Sequence, residues 1–481
     1  MTGGKDAPHG LCDLADAIAR GEIPSAAAVS AALARARAWQ PVIGAFVTID
    51  EAAALDAARA ADARRASGAP LGPLHGVPVA IKDMFDRTGR APGCGAGRGA
   101  AAPELRDAAI VTRLAEAGAI IVGTLNMTEY ALGLTGHNDH IGDCRNPWSA
   151  DRVTGGSSSG PAAAVAARIV AGAIGSDTGA SIRIPAAWCG VTGLKPTHGL
   201  VDARGAMPMS FALDTIGPIA PSARDVARLL AALAPETTAR RAHSACRGGR
   251  LDGLVVGVMG GQFADGLDPD VADALADAEL ALRDLGATTV SVGPAQADLA
   301  RRLHRLMMAA EAAALHDTRL RSAPERFTAE VRYRLELGRR IPAAAYLAAA
   351  RGRARLLRAF LSDGFARCDI LLTALVPRPA PPIERTRFGA PGFAPELLAD
   401  IPRRTQPFSY LGLPALALPC GFAQGLPIGM QLVGRPHDEA TLLAVGTAFQ
   451  AVRDWHLRQP PPPDLRAPDG TMSNGRRATA P

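Results

Sequence analysis

Aromatic residues, lysine and long apolar runs are all scarce in this sequence. Phe, Trp and Tyr make up 4% of the chain, and no basic block with interleaved aromatics occurs, so we do not expect nucleic acid as the main partner. No run of 18 apolar residues is present, and the start lacks the apolar core of a signal peptide. We therefore expect a cytoplasmic protein that does not act in a membrane.

Seven cysteines are scattered along the chain, and no two of them form a C-x-x-C pair. Their odd number and their spacing argue against a disulfide framework and against a zinc site. We expect buried free thiols in a reducing compartment, and no metal site is predicted.

Lysine occurs only three times among 52 basic residues, at Lys5, Lys82 and Lys195. A strong bias towards arginine is expected to leave lysine mainly where arginine cannot serve. The guanidinium is always charged, whereas burial can make a lysine neutral and able to act as a base. Lys5 lies in a terminus that we expect to be loose, so Lys82 and Lys195 require an explanation.

Short β-branched runs alternate with helical segments along most of the chain, which is typical of an α/β sheet. The predicted strands are VPVAIKD, GAIIVGTLN, IVAGAIGSD, GLVVGVMG, DILLTALV, PALALPCGF and IGMQLVG. The predicted helices are RDAAIVTRLAEAG, PAAAVAAR, segments 268–286 and 300–365, and two or three helices within 11–66.

No sharp linker divides the middle of the chain, so one compact domain is expected. Residues 1–66 form an N-terminal helical part of that domain, and 67–457 form its main region. Residues 458–481 are proline-rich and polar, and their composition predicts a disordered tail.

Two serine clusters are candidates for a nucleophile. The first, GSSSG at 156–160, fits the G-x-S-x-G elbow of α/β-hydrolases and would make Ser158 the nucleophile. That elbow requires a strand directly before it, and the preceding CRNPWSADRVTG is polar and predicts a loop. The elbow is therefore the weaker interpretation, because five-residue patterns of this kind are common in Gly/Ser-rich loops.

The second cluster, GSDTGAS, follows the predicted strand IVAGAIGSD. Small residues let the backbone approach a reacting carbonyl, and successive N–H groups form an anion-binding nest. Such a nest would hold an oxyanion while Ser181 attacks, although an ordinary strand-to-helix turn explains the residues equally well. The candidate N–H donors are those of Thr178, Gly179, Ala180 and Ser181.

Lys82 is the candidate base for this serine. It ends the predicted strand VPVAIKD, at the carboxyl edge where the ligand sites of α/β sheets gather. The apolar flanks would desolvate the amine and lower its pKa, so that it accepts a proton. A salt bridge to Asp83 or Asp86 is the structural alternative.

The motifs GGSSSG, GSDTGASIRIPAAWCGVTGLKPTHG and HGVPVAIKDMFD together resemble the amidase signature family. The spacings agree with that family's triad, because 157 − 82 = 75 and 181 − 157 = 24. The resemblance covers most of the chain and extends to GTLNMTEYALG, RNPW, LDTIGPIA, PFSYLGLPALALPCGF and GLPIGMQLVGRPHDEATLL. It implies a single α/β/α domain with a mixed central sheet covered by helices. The signature core would lie at about 75–225, within a catalytic domain at 67–457.

Carried over residue by residue, the resemblance implies a serine–serine–lysine triad. Ser181 resembles the nucleophile and Lys82 the general base. Ser157 resembles the bridging serine, which follows an unusual cis peptide bond after Gly156. The N–H groups from Thr178 to Ser181 resemble the oxyanion hole. The implied acyl-enzyme mechanism needs neither a metal nor an organic cofactor.

Other residues of these motifs are expected to be structural. Asp177 and Arg183 are predicted to tie the turn together through a charge-assisted hydrogen bond. Lys195 has no catalytic counterpart in the family, and Cys189 is expected to be a packed thiol.

Four departures from the family pattern affect the expected substrate range. The bridging motif usually ends SSGG, and here it reads Ser158-Ser159-Gly160 before a proline. The family usually has two glycines where this chain has Gly179-Ala180, so the Ala180 methyl is expected to narrow the oxyanion hole or the acyl pocket. Trp188 is bulkier than usual, and Ser409 replaces a frequent asparagine. None of them removes a catalytic group.

The resemblance implies that three parts of the chain form the pocket. They are the loops after Asn126, the helical stretch near 300–350 and the residues just past 400. Apolar side chains there favour a neutral aliphatic or aryl amide or a carbamate, with esterase or urethanase side activity. The alternatives are a glutaminase subunit of a tRNA-dependent amidotransferase, which needs partner chains, and a catalytically idle binding protein. The resemblance is also compatible with a homodimer. The candidate pocket residues are Met127, Leu132, Ser158, Trp188, His304, Met307, Met308 and Tyr410. Core packing explains the apolar ones equally well, and it is the preferred interpretation for those in the helical stretch.

Overall fold

A computed structural model describes residues 10–97, 103–245 and 249–463. The strands, in chain order, are β1 Phe46–Ile49, β2 Pro78–Lys82, β3 Ile120–Leu125, β4 Arg145–Asn146, β5 Ser149–Val153, β6 Gly172–Asp177, β7 Thr192–Lys195, β8 Thr215–Ala220, β9 Val255–Met259, β10 Thr288–Val292, β11 Ile370–Ala374, β12 Ala415–Ala423 and β13 Leu426–Val433.

The α-helices, in the same order, are α1 Leu11–Arg20, α2 Ser25–Ile43, α3 Glu51–Ala66, α4 Ala109–Glu116, α5 Ser159–Ala166, α6 Arg183–Cys189, α7 Ala223–Leu233, α8 Glu236–Ala245, α9 Pro269–Asp284, α10 Ala297–Ser322, α11 Ala329–Gly338, α12 Ala343–Gly364, α13 Pro395–Asp400, α14 Gln406–Leu411 and α15 Glu439–Val452. Within the described ranges, no helix is long and apolar enough to cross a membrane.

One mixed sheet of the described residues runs in the order β1-β3-β2-β6-β8-β7-β12-β13-β11-β9-β10. The pairs β2–β3, β2–β6, β9–β10 and β9–β11 are parallel. The other pairs of this sheet are antiparallel. The mixed central sheet that the family resemblance implies is therefore confirmed.

Helices cover both faces of this sheet, as the α/β/α prediction requires. Successive strand residues point to opposite faces, and neighbours in β6 accordingly join different clusters. Ile174 packs in the core shared with α1, α4, α7, α9 and α15, whereas Ala173 packs in the core shared with α2, α3, α5 and α6. Leu416 and Ala417 of β12 divide in the same way.

The strands predicted from the sequence are all present, but β1, β4, β5, β7, β8 and β10 were not predicted. Pro218 lies in the middle of β8, and proline is uncommon inside strands. Gly217 makes this strand look like a turn, yet a Cβ there would lie 2.1 Å from the Leu194 carbonyl oxygen. The glycine thus permits close approach within the sheet. Residues 1–66 also contain β1, which pairs with β3.

The proline-rich tail lies mostly outside the described residues. Residues 458–463 are described, and the Arg458 guanidinium stands over the rings of Trp455 and Phe422 at 4.4 and 4.9 Å from their centroids. The predicted disorder of 464–481 concerns residues outside the described ranges.

Candidate active site

Lys82 is the last residue of β2, and its side chain is completely buried. Its Nζ donates hydrogen bonds to Ser157 Oγ at 2.7 Å and to Ser176 Oγ at 2.8 Å. Burial lowers the pKa of Lys82 to about 7, although the Asp214 and Asp177 carboxylates act in the opposite direction. A substantial fraction of Lys82 is therefore neutral near pH 7, and a neutral amine beside a hydroxyl can accept its proton.

Ser157 lies where two chain segments meet. A cis peptide bond joins it to Gly156, as the family resemblance implies. Its carbonyl accepts a hydrogen bond from the Thr128 N–H at 3.3 Å, and the Ser158 N–H donates to the Ser181 carbonyl at 3.1 Å. The segment of Ser157, between β5 and α5, therefore runs beside the segment of Ser181, between β6 and α6.

The Ser158 hydroxyl forms hydrogen bonds with the backbone of β6 and not with a catalytic base. Its Oγ donates to the Ser176 carbonyl at 3.1 Å and accepts from the Ser176 N–H at 3.3 Å. The segment CRNPWSADRVTG was predicted as a loop but contains the β4–β5 hairpin, because those residues pair with each other. This two-stranded sheet is separate from the main sheet, so it does not supply the strand that a hydrolase elbow requires.

The turn from β6 to α6 is fixed by a buried ion pair. Arg183 Nε lies 2.9 Å from Asp177 Oδ2, and both side chains are completely buried. Burial alone would raise the pKa of Asp177, but the Arg183 guanidinium holds that pKa below its usual range. The predicted charge-assisted hydrogen bond is confirmed. Ser409, one of the departures from the family pattern, accepts from Arg183 Nη2 at 2.7 Å.

Backbone carbonyls in this turn are also held by side chains. His304 Nε2 lies 2.9 Å from the Thr178 oxygen, and Arg183 Nη2 donates to the Gly179 oxygen at 3.1 Å. The Thr178 hydroxyl donates to Asp214 Oδ1 at 2.5 Å, while burial raises the pKa of Asp214. Three side chains, those of His304, Arg183 and Asp214, therefore hold this turn.

A cavity of about 560 Å³ opens at this turn, with Gly179 and Ser181 in its wall. Charged side chains also line it: Arg305 of α10, and Glu330 and Arg334 of α11, which pair with each other at 2.6 Å. The rest of the wall is mostly apolar and includes Leu132, Met209, Met308, Leu337, Phe388 and Phe393. A substrate carbonyl can therefore reach Ser181 while the remainder of the molecule contacts both apolar and charged surface.

Four residues predicted for the pocket do not line this cavity: Met127, Ser158, Trp188 and Tyr410. All four are buried. The Trp188 indole and the Tyr410 hydroxyl each donate to a backbone carbonyl, so both large side chains serve the core. The sequence places these residues near the site, but packing turns their side chains inward.

The remaining pocket predictions divide between wall and core. Leu132 and Met308 line the cavity, whereas His304 and Met307 are buried behind it. The Ala180 side chain is completely buried in the core beneath α5 and α6. Ala180 is absent from the residues that line the cavity, so its methyl does not narrow the pocket, and its effect on the oxyanion hole stays a prediction.

Three neighbours of the site were not assigned these contacts from the sequence. Ser176 is the second hydroxyl partner of Lys82, and Asp214 and His304 hold Thr178. Asp214 lies in the motif LDTIGPIA, which was a usable signal. His304 belongs to a long helix with no motif, so only packing reveals its contact.

Lys195 and Cys189 occupy core positions. Lys195 Nζ is completely buried and donates to the Pro196 carbonyl at 2.9 Å. Cys189 Sγ lies 3.6 Å from the Thr154 oxygen, and burial raises the pKa of its thiol well above the usual value. Every cysteine of the described ranges is a buried free thiol, and these ranges contain no group of three or more side chains placed to hold a metal.

Comparison with curated proteins gives long matches. The sequence profile of the family described as Amidase matches residues 27–443. A glutamyl-tRNA(Gln) amidotransferase subunit from Roseiflexus sp. (strain RS-1) is 38% identical over 480 residues, covering 94% of this chain and 97% of that protein. The corresponding subunit of Thiobacillus denitrificans (strain ATCC 25259 / T1) is also 38% identical, with 94% and 98% covered.

Solved structures match over similar lengths. One, reported as "An unexpected vestigial protein complex reveals the evolutionary origins of an s-triazine catabolic enzyme", has a TM-score of 0.85 at 34% identity and covers 92% of this chain and 98% of that chain. The peptide amidase from Stenotrophomonas maltophilia has a TM-score of 0.79 at 27% identity, with 95% and 99% covered. The profile match spans most of the sequence, and the chain therefore belongs to the amidase signature family of hydrolases.

Proposed function

We propose that this chain hydrolyses the C–N bond of a small-molecule amide through an acyl-enzyme on Ser181, within a catalytic domain at 67–457. The observation that carries the proposal is the buried Lys82 amine, 2.7 Å from the Ser157 hydroxyl. Serine needs an adjacent base to become a nucleophile, and a lysine whose pKa is lowered to about 7 can serve as one. The cytoplasm is the proposed compartment, in keeping with the free thiols.

The proposed mechanism moves one proton along the triad. The Ser181 oxygen attacks the substrate carbonyl carbon, Ser181 passes its proton to Ser157, and Ser157 passes its own to Lys82. The N–H groups of the turn 178–181 stabilise the negative oxygen. When the C–N bond breaks, the proton returns through Ser157 to the leaving amine. Water then cleaves the ester by the same relay, and no step uses a metal or an organic cofactor.

A neutral aliphatic or aryl amide, or a carbamate, is the first candidate substrate. The mostly apolar wall of the cavity supports it, because ligand pockets for neutral molecules are mostly apolar with a few polar groups. Esters and urethanes would be cleaved by the same steps. In this case the chain works alone or as a homodimer.

Glutamine is the second candidate substrate, because the relatives described above are named as amidotransferase subunits. Its carboxylate and ammonium would need charged partners, and the cavity offers Arg305, Glu330 and Arg334. Arg305 is exposed and has no ion-pair partner in the part of the chain that the structure describes. In this case the chain would work with partner subunits, and the purified protein would cleave glutamine slowly.

The test begins with a fluorophosphonate, followed by peptide mapping of the labelled residue. We expect the label on Ser181, and hydrolysis of at least one of p-nitroacetanilide, benzamide and glutamine. Release of ammonia from glutamine alone would select the second candidate. A label on Ser158 would contradict the proposal, and an unlabelled, inactive protein would support the idle binding protein instead.

Three alanine variants separate the serines. Ser181→Ala and Ser157→Ala are expected to lose nearly all hydrolysis, because each removes one step of the relay. Ser158→Ala is the matched control and is expected to keep much of the activity, because its hydroxyl bonds only the β6 backbone. Equal losses in all three variants, at equal thermal stability, would contradict the assigned roles.

A further inference from the structure

His304 is a buried histidine that contacts the turn carrying the proposed nucleophile. It lies in α10 with no exposed surface, 126 residues along the chain from its partner, the Thr178 carbonyl oxygen, which is 2.9 Å from Nε2. A carbonyl oxygen only accepts hydrogen bonds, so Nε2 carries the hydrogen. Burial lowers the pKa of His304 to about 4, which leaves the ring neutral and Nδ1 without a hydrogen near pH 7. Nδ1 has no hydrogen-bond partner among the described residues.

The hydrogen bond of His304 fixes a whole peptide unit. Among the described residues the one cis bond is Gly156–Ser157, so the Thr178–Gly179 peptide is trans. In a trans peptide the C=O and the following N–H point in opposite directions across a rigid plane. Because the Thr178 oxygen points to His304, the Gly179 N–H points away from His304.

The turn borders the cavity described above. Gly179 and Ser181 line it, whereas His304 does not. The fit on the His304 side is close, because a Cβ at Gly179 would lie 3.0 Å from His304 Cε1. The imidazole therefore packs against Gly179 as well as contacting the Thr178 oxygen, and Gly179 itself lies in the cavity wall.

A second anchor follows the same geometry at the next peptide unit. Arg183 Nη2 donates to the Gly179 oxygen at 3.1 Å, which directs the Ala180 N–H away from Arg183. Arg183 is also held by Asp177 and Ser409, so its position follows from several contacts. The hydrogen bond of His304 to the turn goes to the Thr178 oxygen, so its loss affects the orientation of a single N–H donor, that of Gly179.

We infer that His304 is a positioning residue, whose Nε2–H holds the Thr178–Gly179 peptide so that the Gly179 N–H faces the oxyanion formed at Ser181. This inference rests on the proposed acyl-enzyme mechanism. The imidazole does not touch the substrate and exchanges no proton with it. Its contribution is to fix the peptide before the reaction begins, which is where a preorganised donor gains its effect.

The test compares two substitutions of similar size. His304→Gln keeps an N–H donor close to the position of Nε2, whereas His304→Leu removes it. Met307→Leu is the matched control, because Met307 is a buried neighbour on the same helix. The measurements are kcat and KM with the compound of the panel that the wild type hydrolyses, corrected for the fraction of protein that a fluorophosphonate labels at completion, together with Tm and the pH profile.

We expect His304→Leu to lower kcat per labelled site by about 100-fold with little change in KM, since the lost donor acts mainly in the transition state. His304→Gln is expected to recover most of that loss, Met307→Leu to resemble the wild type, and the acidic limb of the pH profile to stay in place in all three. Partial unfolding would instead lower the labelled fraction and Tm and leave kcat per labelled site unchanged.

The inference is overturned if His304→Leu keeps its kcat per labelled site, or if His304→Gln loses as much as His304→Leu. Failure of the acyl-enzyme mechanism can be told apart from failure of the His304 role. If the mechanism were wrong, Ser181→Ala would hydrolyse the substrate as fast as the wild type. An unlabelled and inactive wild type would overturn both the mechanism and the role of His304.

Discussion

Lys82 and Lys195 share one physical property and differ in their neighbours. Both are completely buried strand residues, and burial lowers the pKa of each to about 7. Lys82 Nζ meets the hydroxyls of Ser157 and Ser176, whereas Lys195 Nζ meets the Pro196 carbonyl. A hydroxyl can give up a proton and a carbonyl cannot. A lowered pKa therefore shows that an amine is buried, and its partner shows whether it can act as a base.

The surrounding charges sharpen this comparison. After burial, the second influence that lowers the pKa of Lys195 is the Arg183 guanidinium, while Asp177 and Glu439 raise it. Arg183 is the residue that anchors the turn at Gly179. Lys195 is therefore influenced by the residue that anchors the turn, whereas Lys82 contacts the proposed relay serine directly.

The largest expected difference between the two lysines is in the activity lost when Lys82, the proposed base, is replaced. Lys82→Met keeps a flexible side chain of similar length but cannot accept a proton. We expect kcat/KM to fall by about 10⁴-fold, the upper end for a general base, with the fold retained by circular dichroism. Steady-state hydrolysis measures the loss, and full activity in Lys82→Met would remove Lys82 from the mechanism.

The pH dependence of kcat/KM is the second way to separate the two lysines, with an expected effect smaller than that of Lys82→Met. Lys82 acts when neutral, so kcat/KM should fall as the pH drops through about 7. Below that value the neutral fraction decreases about tenfold per pH unit, which gives about 100-fold at two units below. Since the pKa of Lys195 is also lowered to about 7, the profile of Lys195→Met is the decisive control. Disappearance of the acidic limb in that variant would assign the limb to Lys195.

The smallest expected effect on catalysis is that of Lys195→Met itself. This change removes the hydrogen bond to the Pro196 carbonyl and leaves that oxygen without its donor. We expect a loss of about 1–3 kcal/mol in the free energy of unfolding, with kcat per labelled site unchanged. Denaturant titration and active-site labelling measure the two quantities separately. A stable protein with reduced kcat would contradict a purely structural role.

Much of the site could be predicted from short sequence motifs. The apolar residues before Lys82 predicted its burial, and the structure confirms that burial, which lowers the pKa of the amine. The pairing of Asp177 with Arg183 was predicted because the two flank one tight turn. The catalytic roles of Ser157 and Ser181 stay predictions until the variants are measured.

Predictions failed where local patterns and tertiary packing disagree. β8 was missed because Gly217 and Pro218 look like a turn, although close sheet packing requires the glycine. Trp188 and Tyr410 were expected in the pocket because they are large and close to it in sequence or motif, but both donate hydrogen bonds inside the core. The direction in which a side chain points depends on every element around it.

The sequence by itself determined the family, the strands that carry Lys82 and the β6 turn, and the burial of the lysine, because hydropathy and turn chemistry act over short windows of chain. Only the tertiary structure decided which wall faces Ser181 and which donor holds Thr178. Much of the cavity wall comes from α10, α11 and the segment after 386, with Leu132 and Met209 from other loops, and the His304 side chain contacts a turn that lies 126 residues away in the sequence. Contacts at that distance exist only once the helices have packed on the sheet, so no local window contains them.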